Sequence, residues 1–174
     1  QRFKGRDAII DSNVAALGLG KDHAASSEIQ IGELDNPIKP DNEQLMVKGN
    51  EALALGALAA GLNFYIGYPI SPATTILVFM EHNLVGPGKF AHQVSSEIEA
   101  ITSVLGAGFS GKKAMSATSG PGFTLMSEGI GLAWMAEIPC VIVDVQRGGP
   151  ATGLPTKTEQ SDLLAAISKL REAI

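Results

Sequence analysis

From Gly49 onward the apolar and polar positions fall into blocks whose period switches between that of a helix and that of a strand. Ala52, Leu55, Ala59 and Leu62 recur on one helical face, with Asn50 as the N-cap and Gly61 able to supply the left-handed C-terminal residue. A strand is expected over Asn63–Tyr68, closed by Pro69. Ser71-Pro72 is a cap followed by proline at the first helical position, opening a helix to about His82. After the turn Gly86-Pro87-Gly88 a second strand is expected over Lys89–Val94. Ser96-Glu97-Ile98-Glu99 is a capping box in which Glu99 reaches back to the Ser96 amide, and the helix it opens buries Ile98, Ile101, Leu105 and Phe109. A third strand over Lys113–Ala117 leads through Ser119–Gly122 into a helix ending near Glu137. Cys140–Val145 is an apolar run bounded by Pro139 and Arg147, the pattern of a strand covered on both faces. A last amphipathic helix uses Leu163, Leu164, Ile167, Leu170 and Ile174. Trp134, Met115, Met126 and Met135 are expected in the core.

The residues before Glu43 read differently. Val14–Leu17 ends a helix with Gly18 and Gly20 as stops, and His23–Asn42 is a polar run with Pro37 and Pro40, the composition of a linker. The expected division is 1–45 and 46–174. Gln1 in place of an initiator methionine points to a processed chain or a fragment.

Strands alternating with helices imply an α/β fold, a doubly wound parallel sheet with helices on both faces. Composition agrees, since 20 glycines in 174 residues cluster where helices and strands meet. The net charge of −5 and the lack of a basic run argue against nucleic acid. A single cysteine, Cys140, permits neither a disulfide nor an iron–sulfur site within the chain. No signal peptide and no apolar stretch long enough for a bilayer is present, so the default location is the cytoplasm, with no membrane partner.

In sheets of this kind ligands bind beyond the carboxyl ends of the strands. Four segments lie there: Tyr68–Pro72, Ser95–Glu97, Thr118–Gly122 and Gln146–Gly153, rich in glycine, proline and hydroxyls. Free backbone N–H groups at helix starts favour an anion such as a carboxylate. Arg147 adds a guanidinium able to grip a carboxylate through two parallel hydrogen bonds, or else it bridges loops at the surface. Ser71 and Thr152 add hydroxyl donors, although Ser71 by its position reads first as a helix N-cap, a role that can be combined with ligand donation. Glu97 either stabilises the helix dipole or, with Glu99 occupied by the cap, hydrogen-bonds a heterocyclic nitrogen. His82 and His92 are isolated, so no metal cluster is indicated. No GxGxxG, Walker or GxSxG motif occurs.

Gly49-Asn-Glu-Ala…Gly61, YPISP at 68–72, SSEIEA at 95–100, ATSGPGF at 117–123 and VQRGGPATGLPT at 145–156 together resemble the α subunit of 2-oxoacid:ferredoxin oxidoreductases, the 2-oxoglutarate branch above all. The resemblance runs from about Gly49 to Leu163 and implies the pyrimidine-binding domain of a thiamine pyrophosphate enzyme, with a transketolase N-terminal-like fold. It further implies that residues 1–45 are the end of a γ-like domain and its linker, in a fused γ–α subunit. Residues 46–174 would then be the pyrimidine domain, incomplete at its C-terminus.

By the same resemblance Glu97 matches the glutamate that hydrogen-bonds the aminopyrimidine ring nitrogen and promotes loss of the thiazolium proton. Ser71 stands where the family signature YPITP has threonine and, with Arg147, contacts the oxoacid carboxylate; Thr152 lies in the adjacent substrate loop. The implied reaction is oxidative decarboxylation of 2-oxoglutarate or a pyruvate-like 2-oxoacid, with coenzyme A taking the acyl group and ferredoxin the electrons. No GDG-type motif for magnesium and the diphosphate is present; the resemblance implies that magnesium and an iron–sulfur cluster lie on a partner β subunit. The competing reading is a non-catalytic assembly or dimerisation module of such a complex. A transketolase-like enzyme is a third, which the QRGGPATG loop opposes.

Overall fold

The computed structural model describes residues 5–27, 32, 35–36, 40–150, 152–160 and 162–171. The chain divides into two compact units, Gln1–Gln44 and Leu45–Ile174. In the first, helix α1 (Asp7–Ser26) runs straight through Gly18 and Gly20, neither of which has a positive φ. Glycine costs a helix about 1 kcal/mol relative to alanine, but it stops one only by turning left-handed. All of α1 is exposed. The linker expected over His23–Asn42 therefore begins later than expected, and much of it, Pro37 included, lies outside the described residues.

The second unit alternates helix and strand: α2 (Gly49–Ala59), β1 (Phe64–Gly67), α3 (Thr74–Asn83), β2 (Phe90–Gln93), α4 (Glu97–Phe109), β3 (Ala114–Thr118), α5 (Gly120–Leu125), α6 (Ser127–Met135), β4 (Val141–Asp144) and α7 (Leu163–Arg171). The strands form one parallel sheet in the order β2-β1-β3-β4. Two apolar clusters cover its faces. Ala54 of α2 with Ile76, Leu77 and Met80 of α3 packs on Tyr65, Met115 and Ala117. On the opposite face Ala100, Ile101, Val104 and Leu105 of α4, with Met126 and Ala133, pack on Ile66 and Ala114.

Several helices are rotated from their expected settings. In α2 the inward residues are Leu53, Ala54, Ala57 and Leu58, while Ala52, Leu55 and Ala59 face out. In α4, Ile98 and Phe109 are 55% and 81% exposed, and the buried stripe is Ala100, Ile101, Val104, Leu105 and Gly108. Close approach decides the rotation: a Cβ on Gly108 would lie 2.5 Å from the Pro139 carbonyl oxygen, so only glycine lets α4 seat there. The helix expected after Ser119 is two. Thr124 Oγ1 donates to Gly120 O and Ser127 Oγ to Thr124 O, and such hydroxyl–carbonyl bonds compete with the helical ladder at the Met126 break.

Met115 and Met126 are core residues, but Trp134 and Met135 are 47% and 80% exposed. β4 is partly covered on both faces, Val143 packing on one cluster and Ile142 on the other. It forms one edge of the sheet, and Val141 is exposed. Leu163, Leu164 and Ile167 of α7 are exposed too, while the side chains of Leu170 and Ile174 lie outside the described residues.

Candidate functional site

The chain passes from β1 outward to β2, then returns across β1 to β3 and on to β4. The sequence of strands thus reverses direction between β1 and β3, which opens a crevice at the carboxyl edge there. The four loops singled out from sequence all follow carboxyl ends of strands, as the parallel pairing requires.

Ser71 lies in the loop between β1 and α3 and does not cap the helix; Ala73 precedes the first helical residue, Thr74. The bond that starts the turn is Thr74 N to Ile70 O at 2.9 Å, so the chain enters the helix after Pro72 rather than at it. This loop is tethered from α2. Asn50 is inside that helix, and its Nδ2 donates to Pro72 O at 3.0 Å and Thr75 Oγ1 at 2.8 Å. Its expected N-cap position is held by Lys48, whose backbone N–H donates to Glu51 Oε2 at 3.2 Å.

Arg147 is buried, 6% exposed, and ties two loops together. Nη1 donates to Ser71 O at 2.8 Å and Nη2 to Thr152 O at 2.7 Å. The three residues expected to meet an oxoacid carboxylate are thus gathered in one place, through the guanidinium and the two backbone carbonyls. Arg147 is a loop bridge, as one reading had it, but a buried one. Its Nε has no hydrogen-bond partner among the described residues. The loop beyond is self-supporting: Gly148 N donates to Lys157 O and Leu154 N to Gly148 O, both at 2.7 Å, and Gly149 N to Glu159 Oε2 at 3.0 Å. Gly153 turns it with φ +57°, next to backbone that leaves no room for a side chain.

Glu97 is the first residue of α4. Ser96 caps the helix through Oγ, which accepts from Glu99 N at 3.2 Å. Glu99 reaches past the Ser96 amide to Ser95, taking its N–H at 2.9 Å and its hydroxyl at 2.6 Å. Those two bonds hold the Glu99 carboxyl below the usual glutamate range. Glu97 is left out of the cap. It is 5% exposed, and no hydrogen bond to it is found among the described residues. It lies instead against Gly122, where a Cβ would come within 2.7 Å of both Glu97 Cγ and Oε1.

Fully buried polar atoms left unmatched are costly, and several gather at this edge. Ser116 Oγ, Ser119 Oγ, both Asp144 carboxylate oxygens and Arg147 Nε are buried without partners among the described residues. All belong to β3, β4 or the loops after them. Unsatisfied groups concentrated at one edge call for a polar ligand or a polar partner surface. A heterocycle with hydrogen-bonding ring nitrogens, as in the pyrimidine of thiamine, suits the Glu97 carboxylate, and an anion suits the Arg147 guanidinium.

Asp144 is a feature the sequence reading missed. It was absorbed into an apolar run, although an acid at the carboxyl end of an otherwise apolar strand was a signal in itself. Burial, and then the charge of Asp162, push its carboxyl up to about 6. Asp144 is the register partner of Thr118 on β3 and borders a mostly apolar cavity of about 790 Å³ between β4, α6 and α7.

Comparison with known proteins extends this geometry. The family described as "Pyruvate flavodoxin/ferredoxin oxidoreductase, thiamine diP-bdg" matches residues 55–172. The 2-oxoglutarate synthase subunit KorA of Methanocaldococcus jannaschii is 52% identical over 118 residues, 68% of this chain and 32% of that protein. The 2-oxoglutarate oxidoreductase subunit KorA of Mycobacterium tuberculosis is 41% identical over 177 residues, 96% of this chain and 26% of that protein. Among solved structures, the 2-oxoglutarate:ferredoxin oxidoreductase from Magnetococcus marinus with 2-oxoglutarate, coenzyme A and succinyl-CoA bound superposes with a TM-score of 0.78 at 45% identity, over 95% of this chain and 29% of that one. The chain thus spans between a quarter and a third of the length of these relatives.

Proposed function

Because the chain belongs to the pyruvate flavodoxin/ferredoxin oxidoreductase thiamine-diphosphate-binding family, we propose that it carries the pyrimidine side of the thiamine site in the α subunit of a 2-oxoacid:ferredoxin oxidoreductase. The observation that carries this reading is Glu97, a buried residue at the carboxyl edge of a parallel sheet whose side chain has no hydrogen-bond partner among the described residues. The substrate class is supported by relatives named for 2-oxoglutarate and by the ligands of the Magnetococcus marinus structure.

Thiamine diphosphate, when bound, supplies a carbon nucleophile and a sink for the electron pair released with carbon dioxide. Glu97 would share a proton with a pyrimidine ring nitrogen, a role that needs a carboxyl group in a dry site. Arg147 would present the donors that Ser71 O and Thr152 O do not use, chiefly Nε, to the substrate carboxylate. The Ser71 and Thr152 hydroxyls would complete that contact. The overall reaction is balanced by two electrons: a 2-oxoacid and coenzyme A give an acyl-coenzyme A, carbon dioxide and a proton, and two ferredoxins are each reduced once. Magnesium and an iron–sulfur cluster fall to a β subunit, with which this chain would share the cofactor. The match of the Mycobacterium tuberculosis relative over 96% of the chain supports reading residues 1–45 as the end of a preceding γ-like domain and its linker, followed by the pyrimidine domain over 46–174.

The test is oxoacid-dependent reduction of ferredoxin or a viologen dye by the α subunit assembled with its β partner. Glu97→Gln is expected to lose about a hundredfold or more of the activity, the range of proton-transfer catalysis. Normal turnover in that variant removes the cofactor assignment, and an assembled complex that consumes no oxoacid favours the assembly-module reading.

A further inference from the structure

We propose that Gly122 and Thr118 are positioning residues for the Glu97 carboxylate, an inference that rests on the role given to Glu97 above. Glu97 enters from α4, Thr118 ends β3, and Gly122 lies in the first turn of α5. All three are buried. The space a Gly122 side chain would fill is bounded by Glu97 Cγ and Oε1, each 2.7 Å from the site of the missing Cβ, and by Thr118 Oγ1, which lies closer still. Contacts that short are not sustained by real side chains, so a methyl group on Gly122 must displace both the Thr118 hydroxyl and the Glu97 side chain.

Thr118 has a complementary part. Its hydroxyl makes one long contact, to Ser119 O at 3.5 Å, too long for a good O–H···O bond. Thr118 Oγ1 and Glu97 Oε1 border the same gap, the one that Gly122 keeps open. Gly122 is not required by its own backbone, because its φ is not positive. In a helix, alanine is intrinsically preferred by about 1 kcal/mol. Glycine here answers to the Thr118 hydroxyl and the Glu97 side chain that crowd the position.

The experiment uses the assembled oxidoreductase carrying Gly122→Ala, Thr118→Val, Thr118→Ser or Glu97→Gln, with Gly131→Ala as control. Gly131 is a helical glycine in α6 with open space around its missing side chain. Three quantities are read: the thermal midpoint, thiamine diphosphate affinity by titration calorimetry, and hydrogen–deuterium exchange at the thiazolium carbon of the bound cofactor. Gly122→Ala is expected to slow exchange by about ten- to a hundredfold, the cost of misplacing a catalytic group by about an ångström. Its thermal midpoint should fall as well, because the methyl group overpacks a buried site, so exchange is read on folded, cofactor-loaded protein; Gly131→Ala should leave both unchanged. Thr118→Val should slow exchange and Thr118→Ser restore it.

Unchanged exchange in cofactor-loaded Gly122→Ala, with Glu97→Gln slowed, overturns the positioning role and leaves the Glu97 assignment standing. Unchanged exchange in Glu97→Gln as well removes the assignment itself. Should Gly122→Ala fail to fold, the Thr118 pair decides: equal exchange in the valine and serine variants overturns the proposal.

Discussion

Arg147 Nη1 donates to the backbone oxygen of Ser71 at 2.8 Å, joining the loop after β4 to the loop after β1 across 76 residues of sequence. With Nη2 on Thr152 O, the guanidinium holds together the two loops expected to meet the substrate.

Arg147→Ala should accordingly do two things. It leaves two carbonyls without a charged donor, which costs about 1.5–3 kcal/mol for each such bond removed if the loops stay buried. It also removes the proposed carboxylate contact, so KM for the oxoacid should rise more than kcat falls. Arg147→Lys should recover part of the stability and little of the KM, since an ammonium has no planar fork to serve both carbonyls. Urea midpoints and steady-state kinetics separate the two effects; an Arg147→Lys enzyme with native KM would show that charge alone suffices.

Asn50 is the counterpart on the β1 side. Its Nδ2 bonds to Pro72 O and Thr75 Oγ1 anchor the loop that carries Ser71. Asn50→Ala should cost about 1 kcal/mol of stability and raise KM, because the loop loses its tie to α2. Asn50→Asp, which cannot donate, should resemble the alanine variant. Were Asn50 an N-cap, aspartate would substitute well, so the Asp variant distinguishes the two roles.

The alternation of helix and strand was legible because its signals are local: Gly61 with φ +78°, the glycines of the Gly86–Gly88 turn, the Ser96 cap. The carboxyl-edge loops followed from topology, and the resemblance to a known family named the chemistry. What did not follow was which face of each helix turns inward. The sequence advertises Ile98, Phe109 and Leu55, yet those face out, and Ala54, Ala100 and Gly108 face in. Inward positions here select small residues that let helix and sheet approach, as Gly108 does against Pro139 O and Gly129 against Ile101. Such fits depend on residues distant in sequence, as does the distinction between the buried and the exposed methionines.

That distinction has a direct consequence for stability. Met126 is fully buried where α4, α6 and the sheet meet, so Met126→Ala should cost about 2–5 kcal/mol. Met135, mostly exposed, should give about 0.5 kcal/mol or less on the same change. Chemical denaturation of the two variants side by side tests the assignment, and similar losses would contradict it.

Asp144 gives a pH dependence of definite sign. Its folded carboxyl is raised from 3.8 to about 6 by burial and by the charge of Asp162. Between those two values the folded chain binds the proton more tightly than the unfolded chain does. Stability contributed by the neutral acid is then fully present below pH 3.8 and is lost as the pH rises through about 6. At higher pH the ionised, unpartnered carboxylate is a net cost, about 1 kcal/mol once screening at a half-buried site is allowed for. Asp144→Asn removes the ionisation while keeping the shape. It should be more stable than the parent chain above pH 7, by that amount, and its lead should shrink as the pH falls toward 4. Urea unfolding across this range reads the difference. A lead that grows in acid would mean that Asp144 is charged and partnered in the folded protein.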